Sequence, residues 1–404
     1  MTVRRAITGG VMVLALSLAT AWPASAAATS DVVDGIGGGG GRIQARISGD
    51  TASLVRGGVP WVFYAANPEY GYRLRLAKLA PTPTFVTLDG AGGVNGRTTD
   101  SVATDVSATM LGDVVHVFYT DVATHDLRHG WFDGSTWRFE TLDGDSALDG
   151  RTTRDVGGRS LALVYRNRLN VFYADDTRGD VRRAVFDGSV WHYSVLDGNS
   201  TIGGRTTDTV GLAIRAGVWD SHLHVLYTMA PAGLREAVIT RGRSATYATL
   251  SDAGGDSLGM LKVSDTQVLI AYDAASSCCS DSDILAGVWN GSTWSVDRPV
   301  SSIELTRGLT IFSDGGTPYL AAGIVQCYGS GGCDKLVGVA PWNGTTFDDP
   351  YFDGAVFYAF GEPPGVPSSA VTIAGVGQLF VGGYGYRSEP DIYDQVLLRV
   401  NGPF

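Results

Sequence analysis

A block of about 54 residues recurs along this chain, and the repetition constrains the fold more than any other feature of the sequence. Leu-Asp-Gly recurs with its aspartates at Asp89, Asp143 and Asp197, at a constant interval of 54 residues. Each copy is followed by Gly-Arg-Thr-Thr, which begins seven residues after the aspartate. Matches of this length indicate one supersecondary unit that is used many times.

Each unit contains strand-like segments separated by tight turns. Val-Phe-Tyr or Val-Leu-Tyr ends at Tyr119, Tyr173 and Tyr227, and an Asp-Gly-Ser turn precedes Trp137 and Trp191. Asp-Gly and Asn-Gly are typical of two-residue hairpins, because both central residues take positive φ. The alternating apolar and β-branched residues between these turns predict four short strands in each unit.

The number of units follows from the length of the chain. The 378 residues after Ala26 correspond to seven units of 54, and weaker copies of the motifs continue in register towards the C-terminus. One four-stranded sheet cannot cover both of its faces, so the units are expected to pack around an axis. Glycine, about 14% of the residues, suits many tight turns. The sequence predicts an all-β protein, a seven-bladed β-propeller of four-stranded blades that forms one domain over residues 27–404.

The two ends of the chain predict how the ring closes. The last unit stops at residues 401–404, just after its third strand. Near the other end, Asp34-Gly35 is followed seven residues later by Gly41-Arg42, which copies the loop after the fourth strand of the other units. Residues 30–33 are therefore predicted to be the fourth strand of the last blade, where they would pair an edge that is otherwise exposed.

Residues 1–26 have the pattern of an export signal. Arg4 and Arg5 precede a short apolar run over residues 11–19, and Ala24-Ser25-Ala26 supplies a small-x-small cleavage site. The apolar run is too short to span a bilayer comfortably. We therefore expect a secreted, extracellular protein with no membrane span. A net charge of −11 disfavours nucleic acid as a partner, because phosphate binding requires a basic surface.

The four cysteines are expected to form disulfides, because the chain is predicted to enter an oxidising compartment. Cys327 and Cys333 flank a glycine-rich loop, and their pairing would leave a strained bond between the adjacent Cys278 and Cys279. Two bridges between the two loops are the alternative. A metal is less favoured, since no histidine lies near either pair. The sequence predicts no metal site and no cofactor.

Tyrosine and arginine recur as pairs across the predicted loop between the second and third strands. The members are Tyr119 with Arg128, Tyr173 with Arg182, Tyr227 with Arg235 and, less regularly, Tyr64 with Arg73. An aromatic ring beside a guanidinium suits a sugar, whose C–H patches stack on the ring and whose hydroxyls accept from arginine. With Trp137 and Trp191, these residues are the predicted carbohydrate sites, several weak sites that act together by avidity.

The same residues have a structural alternative. The tyrosines would fill the space between blades, and the arginines would pair with loop aspartates such as Asp121, Asp126 or Asp180. Trp137 and Trp191 would then belong to the core.

The pattern His-Val-Phe-Tyr-x-Asp, Asp-Leu-Arg and Phe-Asp-Gly-Ser-x-Trp resembles the blade consensus of β-propeller lectins, including the fucose-specific and the seven-bladed bacterial lectins. The resemblance covers most of residues 41–260. It implies sugars held between neighbouring blades by arginine, an acidic partner and aromatic rings. Carried onto this sequence, it points to Arg128, Arg182 and Arg235, and it implies a lectin-like protein whose partners are glycans or glycoconjugates.

Two other functions remain open. A secreted lyase or glycosidase would need acids and bases that break the repeat. His125 and His129 break the repeat. His116 and His224 occupy one repeat position and are interpreted as scaffold. No catalytic residue is assigned. A protein partner is the other possibility, bound by the divergent loops of blades five to seven.

Overall fold

The structure is a computed structural model that describes residues 29–35, 41–43, 45–67, 71–240, 244–274, 283–301, 304–327, 333–349, 355–359, 366–389, 392–402 and 404. Almost all regular structure in these residues is β-strand, in seven four-stranded antiparallel sheets. The prediction of a seven-bladed propeller with four-stranded blades is confirmed. No helix in the described part of the chain is long and apolar enough to cross a membrane.

Blades one to six each follow the chain from the innermost to the outermost strand. Blade one has β2 (Arg46–Arg56), β3 (Val59–Asn67), β4 (Arg73–Lys78) and β5 (Thr84–Asp89), and blade two has β6 (Val102–Leu111), β7 (Val114–Asp121), β8 (Leu127–Phe132) and β9 (Trp137–Asp143). Blade three has β10 (Val156–Tyr165), β11 (Arg168–Asp175), β12 (Asp180–Phe186) and β13 (Trp191–Asp197). A short 3₁₀ turn, Ile202–Gly204, then leads into blade four, which has β14 (Val210–Trp219), β15 (His222–Met229), β16 (Leu234–Ile239) and β17 (Ala245–Ser251).

The C-terminal blades repeat this order. Blade five has β18 (Leu258–Ser264), β19 (Gln267–Ala274), β20 (Asp283–Trp289) and β21 (Trp294–Ser301), and blade six has β22 (Glu304–Asp314), β23 (Thr317–Cys327), β24 (Cys333–Pro341) and β25 (Ala355–Ala359). Blade seven has β26 (Val366–Ile373), β27 (Val376–Glu389), β28 (Ile392–Asn401) and, as its outermost strand, β1 (Thr29–Asp34) from the other end of the chain.

Strand β1 closes the ring as the sequence predicts. It pairs antiparallel with β28, with Ser30 opposite Val400 and Val32 opposite Leu398. The innermost strands of successive blades also contact one another around the whole circle, including β26 with β2. The two ends of the chain therefore share one sheet, and the outer edge of β28 is paired rather than exposed.

The apolar core consists of seven layers, each between two adjacent blades. Between blades one and two, for example, Phe63 and Leu76 pack against Val117 and Phe139. Alternate residues of a strand point to opposite faces of its sheet, so each blade contributes to two layers. This arrangement explains why the apolar pattern of the sequence has a period of two and a repeat of about 54 residues.

Steric constraints explain why the repeated Gly-Arg-Thr-Thr sequence begins with glycine. Gly96 has a φ of 82°, and a Cβ atom there would lie 1.9 Å from the carbonyl oxygen of Phe139 in the outermost strand of the next blade. Only glycine permits both the backbone conformation and the close approach.

Candidate functional site

The repeated Leu-Asp-Gly aspartate joins each of the first four blades to the blade before it. Asp89 ends β5 of blade one, and its Oδ2 atom accepts hydrogen bonds from the Tyr119 hydroxyl at 2.6 Å and from Arg128 Nε at 3.0 Å, both in blade two. Its Oδ1 atom accepts from the backbone N–H of Thr98 at 2.7 Å. Arg128 Nη2 also donates to the carbonyl of Gly96 at 2.6 Å.

We call such a set of aspartate, tyrosine and arginine a clamp. Four clamps occur in the described residues: Asp34/Tyr64/Arg75, Asp89/Tyr119/Arg128, Asp143/Tyr173/Arg182 and Asp197/Tyr227/Arg235. The first of them joins blade seven to blade one, so it acts together with β1 in closing the ring. The clamp aspartates and tyrosines are fully buried, and the arginines are at most 8% exposed.

The clamp residues carry charge in a buried but fully paired environment. Burial and the adjacent Asp89 carboxylate raise the pKa of Tyr119 well above its usual value, so its hydroxyl stays protonated and donates. The carboxylate is compensated by one guanidinium and by a backbone donor, which is the condition for keeping a charge inside a protein.

The predicted carbohydrate residues are therefore found in a structural role. Tyr64, Tyr119, Tyr173 and Tyr227, with Arg128, Arg182 and Arg235, belong to clamps. The structural alternative describes them correctly, but the acidic partner is the Leu-Asp-Gly aspartate rather than Asp121, Asp126 or Asp180. Their contact with sugars stays a prediction.

Arg73 is not the partner of Tyr64. In the register of β3 and β4, Tyr64 lies opposite Arg75, whereas Arg73 lies opposite Ala66 and is half-buried. The spacing of nine residues that joins Tyr119 to Arg128 fails here, because the segment between Tyr64 and its cross-strand partner Arg75 is two residues longer.

Trp137 and Trp191 pack at the boundaries between blades. Trp137 meets Phe63 of blade one edge-on at 6.0 Å, and Trp191 meets Phe118 of blade two edge-on at 6.1 Å. Both indoles are half-buried. These tryptophans extend the apolar layers between blades.

The two histidines that break the repeat, His125 and His129, lie in different environments. His129 is buried in β8, stacks on Phe118 at 4.6 Å and bonds to His116 at 2.9 Å and Glu140 at 2.9 Å. Burial lowers the pKa of His129, and it lowers that of His116 to about 3, so both rings are neutral at physiological pH. His125 is instead exposed in the loop before β8.

Blade five replaces the clamp with a different arrangement. Ser251 occupies the place of the aspartate, and Leu285 lies opposite Tyr272 where the other blades have arginine. The carboxylate now comes from Asp297 in β21 of the same blade, which accepts from the Tyr272 hydroxyl at 2.8 Å and from the Ser251 hydroxyl at 2.5 Å. The buried tyrosine hydroxyl is thus satisfied without an arginine beside it.

A cavity of about 930 Å³ occupies the axis of the ring and is lined by the innermost strands of all seven blades. Its charged residues are Asp50, Asp105, Arg159, Asp176, Arg215 and Asp256. Hydroxyls of neighbouring blades bond to each other along its wall, as in Thr51 with Ser369 at 2.6 Å and Ser107 with Ser160 at 3.2 Å. This volume is within the range of ligand sites.

Three charged residues of the cavity, Asp50, Asp105 and Arg159, lie where the innermost strands are irregular. Asp105 and Arg159 are each the fourth residue of their strand, with φ values of 54° and 55°. The register shifts at the same places, between Thr104 and Ser107 in β6 and between Gly158 and Leu161 in β10. Positive φ is unusual for arginine in particular, and such strain is concentrated at functional sites.

The electrostatic environment of Asp105 differs from that of the clamp aspartates. Burial and the nearby Asp50 carboxylate raise the pKa of Asp105 to about 6, against a smaller opposing effect of Arg159. Burial also lowers the pKa of Arg215 to about 10, which leaves it charged at neutral pH. Arg215 Nη1 donates to the carbonyl of Ile214 at 2.8 Å. Asp50, Asp105 and Arg159 occupy one position of the repeat, 16 residues after the Asp-Gly aspartate that precedes each blade. Sequence reasoning missed this cavity because the residue type at that position changes from aspartate to arginine.

The predicted disulfides fall largely outside the described residues. Cys278 and Cys279 lie in residues 275–282, which the structure does not describe. Cys327 and Cys333 are Cα partners at the end of the β23–β24 ladder. The pairing stays a prediction. The loops assigned to a protein partner also lie partly outside the described residues, at 275–282 and 328–332.

A group of side chains with the composition of a metal site lies at the hairpin between β14 and β15. The ligand atoms of Asp220, His222 and His224 lie within 4.8 Å of one another. The sequence analysis predicts no metal site, and it treats His224 as scaffold.

No family model and no curated protein matches this sequence. Solved structures do match. The SapL1 lectin in complex with alpha methyl fucoside aligns with 73% of this chain and 96% of its own, at 14% identity and a TM-score of 0.43. The Trypanosoma rangeli sialidase in complex with sialic acid aligns with 85% of this chain and 69% of its own, at 10% identity and a TM-score of 0.48.

A third match is the GH93 α-L-arabinofuranosidase of Fusarium graminearum with arabinobiose, which aligns with 76% of this chain and 94% of its own, at 8% identity and a TM-score of 0.44. At these identities and TM-scores, the structural similarity gives no information about the activity of this chain. The fold expected from the resemblance to propeller lectins is confirmed, and that fold is the seven-bladed β-propeller.

Proposed function

We propose that this protein is exported and binds carbohydrate, and that the sugar occupies the axial cavity. The observation that carries the proposal is the composition of the cavity wall. Arginine, aspartate and rows of serine and threonine hydroxyls face one concave space of about 930 Å³. Sugars present many hydroxyls, each both donor and acceptor, and such a wall can satisfy both roles.

Arg215 and Tyr72 are the residues we expect to contact the sugar. Arg215 carries a charge with one hydrogen bond to a backbone carbonyl, so its planar guanidinium retains donors for a ligand. Tyr72 adds an aromatic side chain to the same lining, which suits the C–H face of a pyranose. By contrast, the clamp arginines already use their donors on aspartate and backbone carbonyls.

The test is a glycan array with the tag-free chain that begins at residue 27, followed by calorimetry of the best ligand. Arg215→Met should weaken binding by about 10-fold or more, because a hydrogen bond from a charged group is lost. Arg138→Met is the matched control, since Arg138 is a largely exposed arginine of the outermost strand β9. Binding that is unchanged in Arg215→Met would contradict the axial site.

Arg128→Met separates the axial site from the inter-blade sites implied by the resemblance. If the inter-blade sites bind sugar, this variant should lose one site and lower the binding stoichiometry. The measurement is made well below the melting temperature, because removal of a clamp arginine also destabilises the fold. The axial proposal expects the stoichiometry to be unchanged.

Hydrolysis of a glycoside is a second candidate, favoured by the pair of Asp105 and Asp50. A carboxyl group with a pKa of about 6 beside a second carboxylate has the properties of a general acid and its partner. Reducing ends released from bound glycans would reveal turnover. With Asp105 as the acid, turnover should fall as the pH rises through about 6, and Asp105→Asn should abolish it. Binding without any product leaves the protein a lectin.

A further inference from the structure

The hairpin between β14 and β15 brings three potential metal ligands to one point. Asp220 Oδ1 lies 2.7 Å from His222 Nδ1 and 3.0 Å from His224 Nε2. This hairpin joins the innermost strand of blade four to the next strand, so it lies at the opposite face of the propeller from the Leu-Asp-Gly loops. The cluster is thus separate from the charged residues near the start of β6 and β10.

The local backbone dictates this convergence. Asp220 and Ser221 both have positive φ, 46° and 72°, as a two-residue hairpin turn of the I′ kind requires. The turn places Asp220 next to the first residue of β15. His222 and His224 are two residues apart in that strand, so their side chains point to the same face.

The environment of His224 is the strongest indication of a cation. The ring is 2% exposed and has a carboxylate at each nitrogen, with Glu236 Oε1 2.8 Å from Nδ1 and Asp220 Oδ1 3.0 Å from Nε2. Glu236 Oε1 also accepts from Trp294 Nε1 at 3.1 Å. Because Trp294 can only donate, Glu236 is held as an acceptor, which favours a proton on Nδ1.

Nε2 of His224 and the Asp220 carboxylate then face each other at 3.0 Å. A cation bound to both atoms would stabilise this contact. A metal-bound histidine typically donates its other N–H to a carboxylate, which fixes the tautomer and the ring orientation. Glu236 is placed to do this for His224.

The cluster also breaks the repeat. The equivalent hairpin of blade two turns at Gly112-Asp113, and that of blade three turns at Arg166-Asn167. Neither hairpin carries the Asp-x-His-x-His sequence. His116 and Asn170 occupy the place of His224, but each bonds to a side chain within its own blade, His129 or Arg183. The scaffold therefore does not require the combination found in blade four.

We propose that Asp220, His222 and His224 bind a divalent transition metal of the Zn²⁺ class, with Glu236 as the residue that orients His224. Two imidazoles and one carboxylate are ligands suited to Zn²⁺. Three protein ligands leave a fourth position of a tetrahedral ion for water or another ligand. That position opens to solvent, since the Asp220 and His222 side chains are 35% and 37% exposed.

The experiment is calorimetric titration of the tag-free, chelator-treated chain with Zn²⁺, repeated with Co²⁺ to record the absorption of a tetrahedral site. One equivalent should bind to the wild type. His222→Ala should weaken binding by about 100-fold or more without loss of the fold, because a ligand is removed at a partly exposed position. Glu236→Gln should weaken binding by about 10- to 100-fold, as expected for the partner of a metal-bound histidine.

The matched control is His192→Ala. His192 is also an exposed strand histidine with an aspartate neighbour, Asp187 at 2.7 Å, but it belongs to no three-ligand cluster among the described residues. This variant should bind Zn²⁺ like the wild type. Cu²⁺ gives an independent readout, because Trp219 stacks on His224 at 3.9 Å and its fluorescence should be quenched in the wild type but not in His222→Ala.

Three outcomes would overturn the proposal. One is a wild type that does not bind Zn²⁺ at micromolar concentrations. Another is a His192→Ala variant that loses as much affinity as His222→Ala. The last is an NMR titration that shows His224 protonated on both nitrogens and no metal bound. The imidazolium would then donate a hydrogen bond to each of its two carboxylates, and no metal would be needed there.

Discussion

The boundaries between blades and the axial cavity both contain buried aspartates, but in opposite circumstances. At the boundaries, Asp89 and its equivalents have a guanidinium, a tyrosine hydroxyl and a backbone N–H group as partners. At the axis, Asp105 has a positive φ and lies beside another carboxylate. The same blade repeat thus supplies stability at its boundaries and concentrates strain and like charge at its centre.

Removal of the closing strand should have the largest effect. A chain that begins at residue 41 lacks β1 and Asp34, so it leaves the edge of β28 unpaired and Arg75 buried without its carboxylate. We expect its melting temperature to fall by about 10 °C or more relative to a chain that begins at residue 27. Scanning calorimetry of the two chains makes the comparison. Equal melting temperatures would contradict the closure of the ring by β1.

Neutralisation of a clamp aspartate should have the next largest effect. Asp143→Asn leaves Arg182 as a buried cation without a counter-charge, and we expect a loss of about 3 kcal/mol in the free energy of unfolding. Asp297→Asn in blade five keeps an amide oxygen that can accept from both hydroxyls and leaves no buried arginine without a counter-charge, so its loss should be about 1 kcal/mol or less. Denaturation in urea measures both values.

Asp133→Asn is the control for these two variants. Asp133 accepts hydrogen bonds from Ser135 and Thr136 in the hairpin turn of blade two, and Asn290 accepts the same bonds from Ser292 and Thr293 in blade five. An asparagine is therefore compatible with this turn, and the stability should be almost unchanged. A larger loss for Asp297→Asn than for Asp143→Asn would contradict the role assigned to the buried charge.

Neutralisation of the axial Asp105 should have the smallest effect and the opposite sign. Its pKa is raised in the folded state, so ionisation above about pH 6 destabilises the protein, and stability is lost as the pH rises from about 4 to 6. Asp105→Asn removes this loss and should raise the melting temperature by about 2 °C at pH 7.5. The difference should vanish below about pH 4. A lower melting temperature at pH 7.5 would show that Asp105 is stabilised by its surroundings like a clamp aspartate.

Most of the fold could be predicted from the sequence, because its signals are local or periodic. The hairpin connection of blade two has four residues, 133–136, rather than the two predicted from Asp-Gly, and of Asp133 and Gly134 only Gly134 has a positive φ, at 102°. Asp133 accepts from Ser135 and Thr136, so consecutive residues still encode the turn. The repeat of 54 residues sets the size of a blade, and Asp34 marks the end of the strand that closes the ring. None of these inferences needs knowledge of which side chains meet.

The candidate sites are much harder to predict. The sequence pairs Tyr119 with Arg128, but their carboxylate, Asp89, lies 30 and 39 residues away in the preceding blade. The repetition of this aspartate in Leu-Asp-Gly predicts a turn, but it does not predict that the carboxylate binds a buried tyrosine and arginine. The pairing of Tyr64 with Arg73 is wrong, because the connection in blade one is two residues longer and places Arg75 opposite Tyr64.

The number of blades, their strands and the shared last blade could be predicted from the sequence, since turn chemistry and strand alternation act over a few residues and repeat regularly. The three-dimensional packing is needed to know which side chains meet between blades, which innermost strands are irregular, and that Trp294 lies beside Glu236. These contacts depend on how separate sheets stack and on where a register shifts, and neither is encoded in the spacing of residues along one strand.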